Sequence, residues 1–264
     1  MNEFQLDGKV ALISGSARGL GAATAEALHA GGAKVVIADV LDGEGAQMAD
    51  RIGANALFVH LDVTREADWE AAIAAAVERF GGIDVVVNNA GIETTSLLEN
   101  CTLEEFDRTL KINVSGVFLG VKHAIRAMKP GGASGRGGSI VNISSGAGLK
   151  GSLGLGAYCS SKGAVRLLSK AAAVECGRLG YGIRVNSIHP GLIKTEMGVK
   201  TLNDYVRLGL MPDEATAEQA FLGAHLIGFG RPQDIANGVR YLASDAARWI
   251  TGIELSIDGG YFAA

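Results

Sequence analysis

Several broad classes of protein are excluded by what this chain lacks. Cysteine is scarce: Cys101, Cys159 and Cys176 are three in 264 residues, and no two stand in CxxC spacing. An odd, scattered set makes neither a disulfide framework nor a structural zinc site, and it fits a reducing compartment. Cys159 reads as a small buried thiol. No cluster of histidine, cysteine and aspartate has ligand spacing, so no metal is expected. Positive charge is not concentrated either. Lys and Arg number 24 against 28 Asp and Glu, a net charge of −4, and the absence of a basic run excludes a dedicated nucleic-acid binder. No apolar run approaches the roughly 20 residues that a membrane span needs. The first residues, MNEFQLDGKVALISG, lack the charged-then-apolar pattern of a signal peptide. A soluble, cytoplasmic chain with neither nucleic acid nor membrane as partner is expected. There is no internal repeat and no linker. Residues 1–264, 48% of them hydrophobic, are therefore expected to form a single domain with a sizeable core.

What the chain does have is alternation. Residues 10–13 form a short apolar run that reads as a buried strand. A glycine-rich turn follows, Ser14-Gly15-Ser16-Ala17-Arg18-Gly19-Leu20-Gly21, and then an alanine-rich helical pattern. Strand, glycine turn and helix suit a phosphate. Glycines let the backbone approach a pyrophosphate, and the helix start offers free N–H groups and a positive dipole end. The spacing is Gly-x-x-x-Gly-x-Gly rather than the usual G-x-G-x-x-G. A second strand, 34–38, ends at Asp39, twenty residues past Gly19. A carboxylate there accepts hydrogen bonds from an adenosine ribose and repels a 2′-phosphate, which argues for NAD over NADP. Arg18 argues the other way, since a guanidinium could hold that phosphate. Asp39 carries more weight because it stands where the ribose must lie.

A third strand, 56–61, runs into Asp62 and Val63; an amphipathic helix covers 66–80; a fourth strand, 84–87, leads into Asn88-Asn89-Ala90-Gly91. Strand alternating with helix predicts an α/β fold, a Rossmann-type doubly wound parallel sheet with helices on both faces. Ligands of such sheets bind beyond the carboxyl ends of the strands, where these residues fall. Residues 102–128 carry one long helical pattern, opened by Thr102 and Glu105 at capping-box spacing. Asn113 sits inside its apolar face, either opening a turn that holds a water or bonded as a core asparagine.

The densest chemistry is in 139–162, SIVNISSGAGLKGSLGLGAYCSSK. A β-branched run ends in the hydroxyls of Ser144 and Ser145, and Tyr158 and Lys162 follow as a helix begins. Residues four apart stack on one helix face. A phenol titrates near ~10 and is a poor acid or base at neutral pH. A nearby ammonium favours the phenolate and is expected to lower the phenol pKa. Such a tyrosine exchanges a proton with an alcohol or ketone oxygen, and a serine hydroxyl can hold that oxygen. The helix runs to about 179, a strand covers 183–188, and His189-Pro190-Gly191 follows. Residues 192–230 show no clean pattern and read as an irregular lid. A helix at about 232–244 and a strand at 254–257 close the chain.

In this order, these motifs resemble the short-chain dehydrogenase/reductase family along essentially the whole chain. The resemblance rests on SGSARGLG, Asp39, Asp62-Val63, NNAG, Asn113, Ser145, YCSSK, Pro190-Gly191 and Thr195, with Ser14 where the family usually has threonine. It implies a catalytic tetrad of Asn113, Ser145, Tyr158 and Lys162. Ser145 is chosen over Ser144 because it stands thirteen residues before Tyr158. It implies NAD contacts at Gly15, Arg18, Gly19, Leu20, Gly21, Asp39, Asp62, Val63, Asn89, Ala90, Gly91, Tyr158, Lys162, Pro190, Gly191, Ile193 and Thr195. It also implies a homotetramer paired through helices 102–128 and 158–179. The expected activity is hydride transfer between NAD and a secondary alcohol or ketone. Leu149, Leu153, Leu155, Met197, Leu202, Tyr205, Met211, Phe221 and Phe229 suggest a bulky apolar ring, alicyclic, terpenoid or steroid. The alternatives are an NADP-dependent ketoacyl-type reductase and a non-catalytic dinucleotide-binding sensor.

Overall fold

The computed structural model describes residues 2–263. Seven parallel strands form one sheet: β1 (Val10–Ser14), β2 (Lys34–Asp39), β3 (Ala56–His60), β4 (Val85–Asn88), β5 (Gly138–Ile143), β6 (Ile183–Pro190) and β7 (Glu254–Ile257), in the order β3-β2-β1-β4-β5-β6-β7. Alternate residues of the apolar strands face opposite layers, because a strand repeats every two residues. Leu12 pairs in register with Val36 and Val86, and Val86 with Ile140. All four join one core, with Trp69 and Val117. Their neighbours Ile13, Ile37, Val87 and Val141 join the other, with Leu28 and Val239.

Helices cover both layers. α3 (Glu66–Phe80), α5 (Gly116–Met128) and α6 (Gly156–Arg178) close the first; α1 (Gly19–Ala30) and α9 (Pro232–Ala243) pack together over the second, with α2 (Asp42–Ile52) alongside. The chain winds outward from β1 to β3, then returns to lay β4 on the other side of β1. This reversal parts the connections at the carboxyl ends of β1 and β4 and leaves a crevice there.

Several elements differ from their sequence reading. The pattern over 102–128 is interrupted: α4 (Leu103–Leu110) keeps the Thr102–Glu105 capping box, a π turn spans Lys111–Ser115, and α5 follows. β6 runs on to Pro190, where a missing N–H is tolerated at the strand end. The stretch 192–230 holds two helices, α7 (Glu196–Arg207) and α8 (Glu214–Ala224), rather than irregular chain. Their starts are capped by Thr195 and Asp213, whose side chains accept from Gly198 N and Thr216 N at 3.3 and 2.7 Å. Cys159 is half-buried rather than buried, with Sγ against the Lys150 carbonyl; Cys176 is the buried thiol.

Among the described residues, no helix is long and apolar enough to cross a membrane. One grouping of metal-ligand type occurs there, Glu66, Glu70 and His123, within 4.8 Å of one another on the outside of α3 and α5. Its Glu66 carboxylate is already paired with Lys122 and His123.

Candidate active site

The site begins where β1 meets β4. The Ser14 hydroxyl accepts from the Asn89 and Ala90 amides, each at 3.1 Å, so serine supplies the seam between the two strand ends. Asn89 Nδ2 donates back to the Ser14 and Gly15 carbonyls at 3.0 and 2.9 Å. Gly15 has φ +66°, and a Cβ there would lie 2.8 Å from Ala90 Cα, so only glycine fits without displacing the neighbouring backbone. α1 starts immediately beyond, with no side-chain cap and no acidic residue in its first turn. Its first amides are left for an anion. Arg18 pairs with Glu196 at the start of α7, 2.7 Å away.

Asp39 ends β2 and is buried. Its Oδ2 accepts from Ala17 N at 2.9 Å and its Oδ1 from Leu41 N at 3.1 Å, which fixes the carboxylate against the glycine loop. Asp62 accepts from the Thr64 amide and hydroxyl at 2.9 and 2.8 Å. Burial pushes its carboxyl up, but these bonds prevail and hold it below the usual carboxylate range. The Val63 carbonyl accepts from Trp69 Nε1, tying this corner to α3.

Asn113 lies in the π turn and is fully bonded. Its Oδ1 accepts from Ile92 N at 2.9 Å; its Nδ2 donates to Ile92 O at 2.9 Å and to Ser161 Oγ at 3.0 Å. Both sequence alternatives are thus met in part: the backbone opens a turn, and the amide is committed to the chain. It locks the segment after β4 to α6. A buried polar chain, Asn88 to Asn142 to Ser169, ties β4 and β5 to the same helix at 2.7 and 2.8 Å.

Ser144 and Ser145 separate clearly. Ser144 Oγ donates to the Lys162 carbonyl at 2.9 Å and is buried. Both line the cavity, but of the two hydroxyls the one that bonds to Tyr158 belongs to Ser145. Its carbonyl accepts from His189 Nδ1 at 3.0 Å, while His189 Nε2 accepts from Ser187 Oγ at 2.9 Å. Burial holds His189 below its ordinary pKa, so the ring stays neutral and keeps this one tautomer.

On α6, Lys162 Nζ donates to the Ile143 carbonyl at 2.9 Å and stands 5.6 Å from the centre of the Tyr158 ring. The phenol is not lowered as the sequence suggested. Burial pushes Tyr158 up, the Glu93 charge adds to it, and the Ser145 hydroxyl opposes them. Burial also brings Lys162 down to about 8. The sequence reading counted one helpful cation and could not count the loss of water, which disfavours both charged forms.

All the expected site residues except Gly21 and Asn113 line one cavity of about 950 Å³. Those two stand directly behind it: a Cβ on Gly21 would strike the Gly15 carbonyl, and one on Gly91 would sit 3.1 Å from Asn113 Oδ1. Of the apolar residues expected around the substrate, Leu155, Met197 and Phe221 line the cavity, while Leu149, Leu153, Met211 and Phe229 do not. Leu153 is exposed. Leu202 and Tyr205 are buried inside the lid, Tyr205 edge-on to Phe221.

Sequence reasoning missed four contributors. Glu93 lines the cavity just after the Asn-Asn-Ala-Gly stretch. Tyr261 and Phe262 enter from the carboxyl end of the chain, where Asp258 accepts from Gly260 N and Phe262 N. His225 stacks on Tyr261 at 4.8 Å and accepts from Leu192 N at 3.0 Å, pinning both ends of the lid.

Comparison with known proteins agrees with this arrangement. A family model described as enoyl-(acyl carrier protein) reductase matches residues 15–262. The trans-4-hydroxycyclohexanecarboxylate dehydrogenase of Sinomonas cyclohexanicum is 45% identical, covering 96% of this chain and 92% of that one. The 3-alpha-(or 20-beta)-hydroxysteroid dehydrogenase of Mycobacterium tuberculosis is 46% identical, with 97% and 90% covered. A crystal structure of a short-chain type dehydrogenase/reductase from Mycobacterium marinum superposes with a TM-score of 0.85 at 34% identity, covering 100% of this chain and 98% of that one. With the sheet order, the glycine turn and the Tyr158–Lys162 pair, these matches establish that the chain belongs to the short-chain dehydrogenase/reductase family of oxidoreductases.

Proposed function

We propose that this oxidoreductase interconverts a secondary alcohol and its ketone on a bulky, mostly apolar ring, with NAD as cofactor. The observation that carries the reading is a single cavity with a dinucleotide cradle at the strand ends and Tyr158, Ser145 and Lys162 on its wall. The cradle fits the cofactor. Side chains at Gly15 or Gly21 would fill it, the uncapped start of α1 suits a pyrophosphate, and Asp39 keeps lone pairs free for ribose hydroxyls. Gly91, Pro190, Ile193 and Thr195 would border the nicotinamide half. Bound there, the nicotinamide supplies the hydride chemistry.

The chain supplies the proton chemistry and the orientation. In oxidation Tyr158 accepts the alcohol proton, and in reduction it returns one to the ketone oxygen. Ser145, steadied through its carbonyl by His189, hydrogen-bonds the same oxygen. Lys162, charged below about 8, stabilises the phenolate as it forms. Asn113 holds the backbone around both.

A cyclic substrate is supported by the apolar lining of Leu155, Met197, Phe221 and Phe262, and by the printed activities of the two relatives. An acyl carrier or CoA thioester calls for free cations at the mouth. The lid lysines Lys194 and Lys200 are each paired, with Glu218 and Asp204. Exposed Leu103, Phe118, Leu167 and Val174 on α4, α5 and α6 support a homotetramer paired through those helices.

The test is catalytic efficiency with NAD over alcohols graded by size. Each added buried methylene contributes about 0.8 kcal/mol, roughly fourfold. Efficiency is expected to rise by orders of magnitude from short linear alcohols to cyclic ones. Sugars or acyl thioesters outperforming every cyclic alcohol or ketone would overturn the substrate class.

For the cofactor, the wild type is expected to prefer NAD, and Asp39→Ala to narrow the gap. Its carboxylate repels a phosphate carrying about −1.5 to −2 charge, by analogy with protein phosphates. Kinetics with both cofactors check this, and a wild type that already prefers NADP would overturn it.

A further inference from the structure

The cavity wall carries polar groups besides the cofactor cradle and the reacting groups, among them Arg108, Ser152, Lys200 and Glu93. Glu93 sits in the segment that follows β4 and shares the cavity wall with Tyr158. A structural role alone explains only half of it. Its Oε1 lies 2.6 Å from Thr201 Oγ1 on α7 and 3.3 Å from Thr95 Oγ1, which joins the segment to the lid. Its Oε2 has no hydrogen-bond partner among the described residues. It is also absent from the buried orphan atoms, which among the described residues are Asn88 Oδ1 alone, so it opens on the cavity. Once a ligand fills the cavity and displaces water, a carboxyl oxygen left open there is costly unless the ligand bonds to it.

The threonine contacts show what that something must be. Thr201 Oγ1 also lies 2.9 Å from the Met197 carbonyl. Both threonine hydroxyls donate to Glu93 Oε1, and Thr201 shares its proton with the Met197 carbonyl. Burial pushes the Glu93 carboxyl above its ordinary range against the Thr201 bond and the Lys200 charge, a penalty on the charged form that a further donor to Oε2 would offset. The nearby cations do not neutralise it, because Lys200 and Arg207 both pair with Asp204. With both threonine hydroxyls donating to Oε1, the ionised carboxylate offers Oε2 as an acceptor. A hydroxyl satisfies it; an ether, a ketone or a carboxylate does not.

We propose that Glu93 is a second substrate anchor, accepting a hydrogen bond from a ring hydroxyl remote from the reacting one, so that the enzyme selects cyclic diols over the corresponding mono-alcohols and ethers. This rests on the cyclic-alcohol reading above and narrows it. A site built to bond a hydroxyl rejects an analogue without one, because its own polar group is left unpaired.

The experiment compares kcat/KM with NAD for cyclohexanol, trans-1,4-cyclohexanediol and its monomethyl ether, in the wild type, Glu93→Gln and Glu93→Leu. The wild type should favour the diol over the ether by about tenfold or more. Glu93→Gln leaves its one oxygen to the threonine donors and turns an N–H donor to the cavity, so it should lose most of that ratio. Glu93→Leu should bring it near one, with the fold checked by circular dichroism and NADH fluorescence. A wild-type ratio below about threefold, or a ratio unchanged in Glu93→Leu, overturns this proposal alone. If Glu93→Leu does not fold, the wild-type ratio decides. If the wild type binds NAD but oxidises none of the three, the cyclic-alcohol reading falls and this proposal falls with it.

Discussion

Tyr158→Phe is expected to remove turnover, by about a thousandfold or more in kcat, while leaving NAD affinity nearly unchanged. Proton transfer by a positioned group contributes about 10²–10⁴ in rate, and a phenyl ring has no proton to exchange. The ring itself still fits, because Tyr158 is buried and phenylalanine keeps the same ring. Burial keeps the phenol neutral, so the substitution removes no charge from the fold, which should be retained. Steady-state kinetics in both directions and NADH fluorescence titration check the two halves. Retention of more than about a tenth of the wild-type rate would remove Tyr158 from the proton-transfer role.

The second large effect is that of Lys162→Met, expected to raise KM for NAD and lower kcat by about a hundredfold. Methionine keeps the length but not the charge or the bond to the Ile143 carbonyl. For oxidation, Tyr158 must be ionised, so rate rises with pH through its titration. Without the ammonium that titration moves higher, and the rising limb moves with it. Stability should change in the opposite sense. Lys162 is lowered from 10.5 to about 8 on folding, so the unfolded chain binds more protons between those values. Wild-type stability from this group therefore rises with pH across that window. At neutral pH the variant escapes the burial penalty and should melt higher than the wild type, with the advantage shrinking as pH rises from about 8 towards 10.5. An unmoved rate profile would mean that Lys162 does not tune Tyr158.

Most of the frame was legible in the sequence because its determinants are local. A strand, a glycine turn and a helix start are contiguous, so Gly15 and Asp39 declare themselves by spacing. Tyr158 and Lys162 share a helix face for the same reason. The π turn was not legible, since it depends on Asn113 bonding to Ile92 across a separate segment. The lid helices were obscured because their buried faces carry little apolar signal: Ala217 is the buried residue of α8, and α7 buries Gly198, Thr201 and Asp204 beside Leu202 and Tyr205. Their caps, Thr195 and Asp213, were the available signal. Glu93 was passed over because its meaning is spatial: its partner Thr201 lies 108 residues along the chain. The Tyr158 electrostatics failed for a related reason, since a sequence shows which charges are near but not how much water remains.

The strand order also sets a hazard during synthesis. β1 is made first, and β2 and β3 can pair on one side of it soon afterwards. Its other edge waits for β4, where Ala11 pairs with Val85. Until then an entirely buried-type strand, Val10–Ser14, presents an open row of backbone donors and acceptors. Such edges are templates for pairing with other chains, and parallel pairs joined through long crossovers close slowly. The nascent chain is thus most prone to aggregate after β3 has left the ribosome and before β4 has docked, a window created by the same reversal that opens the cofactor crevice.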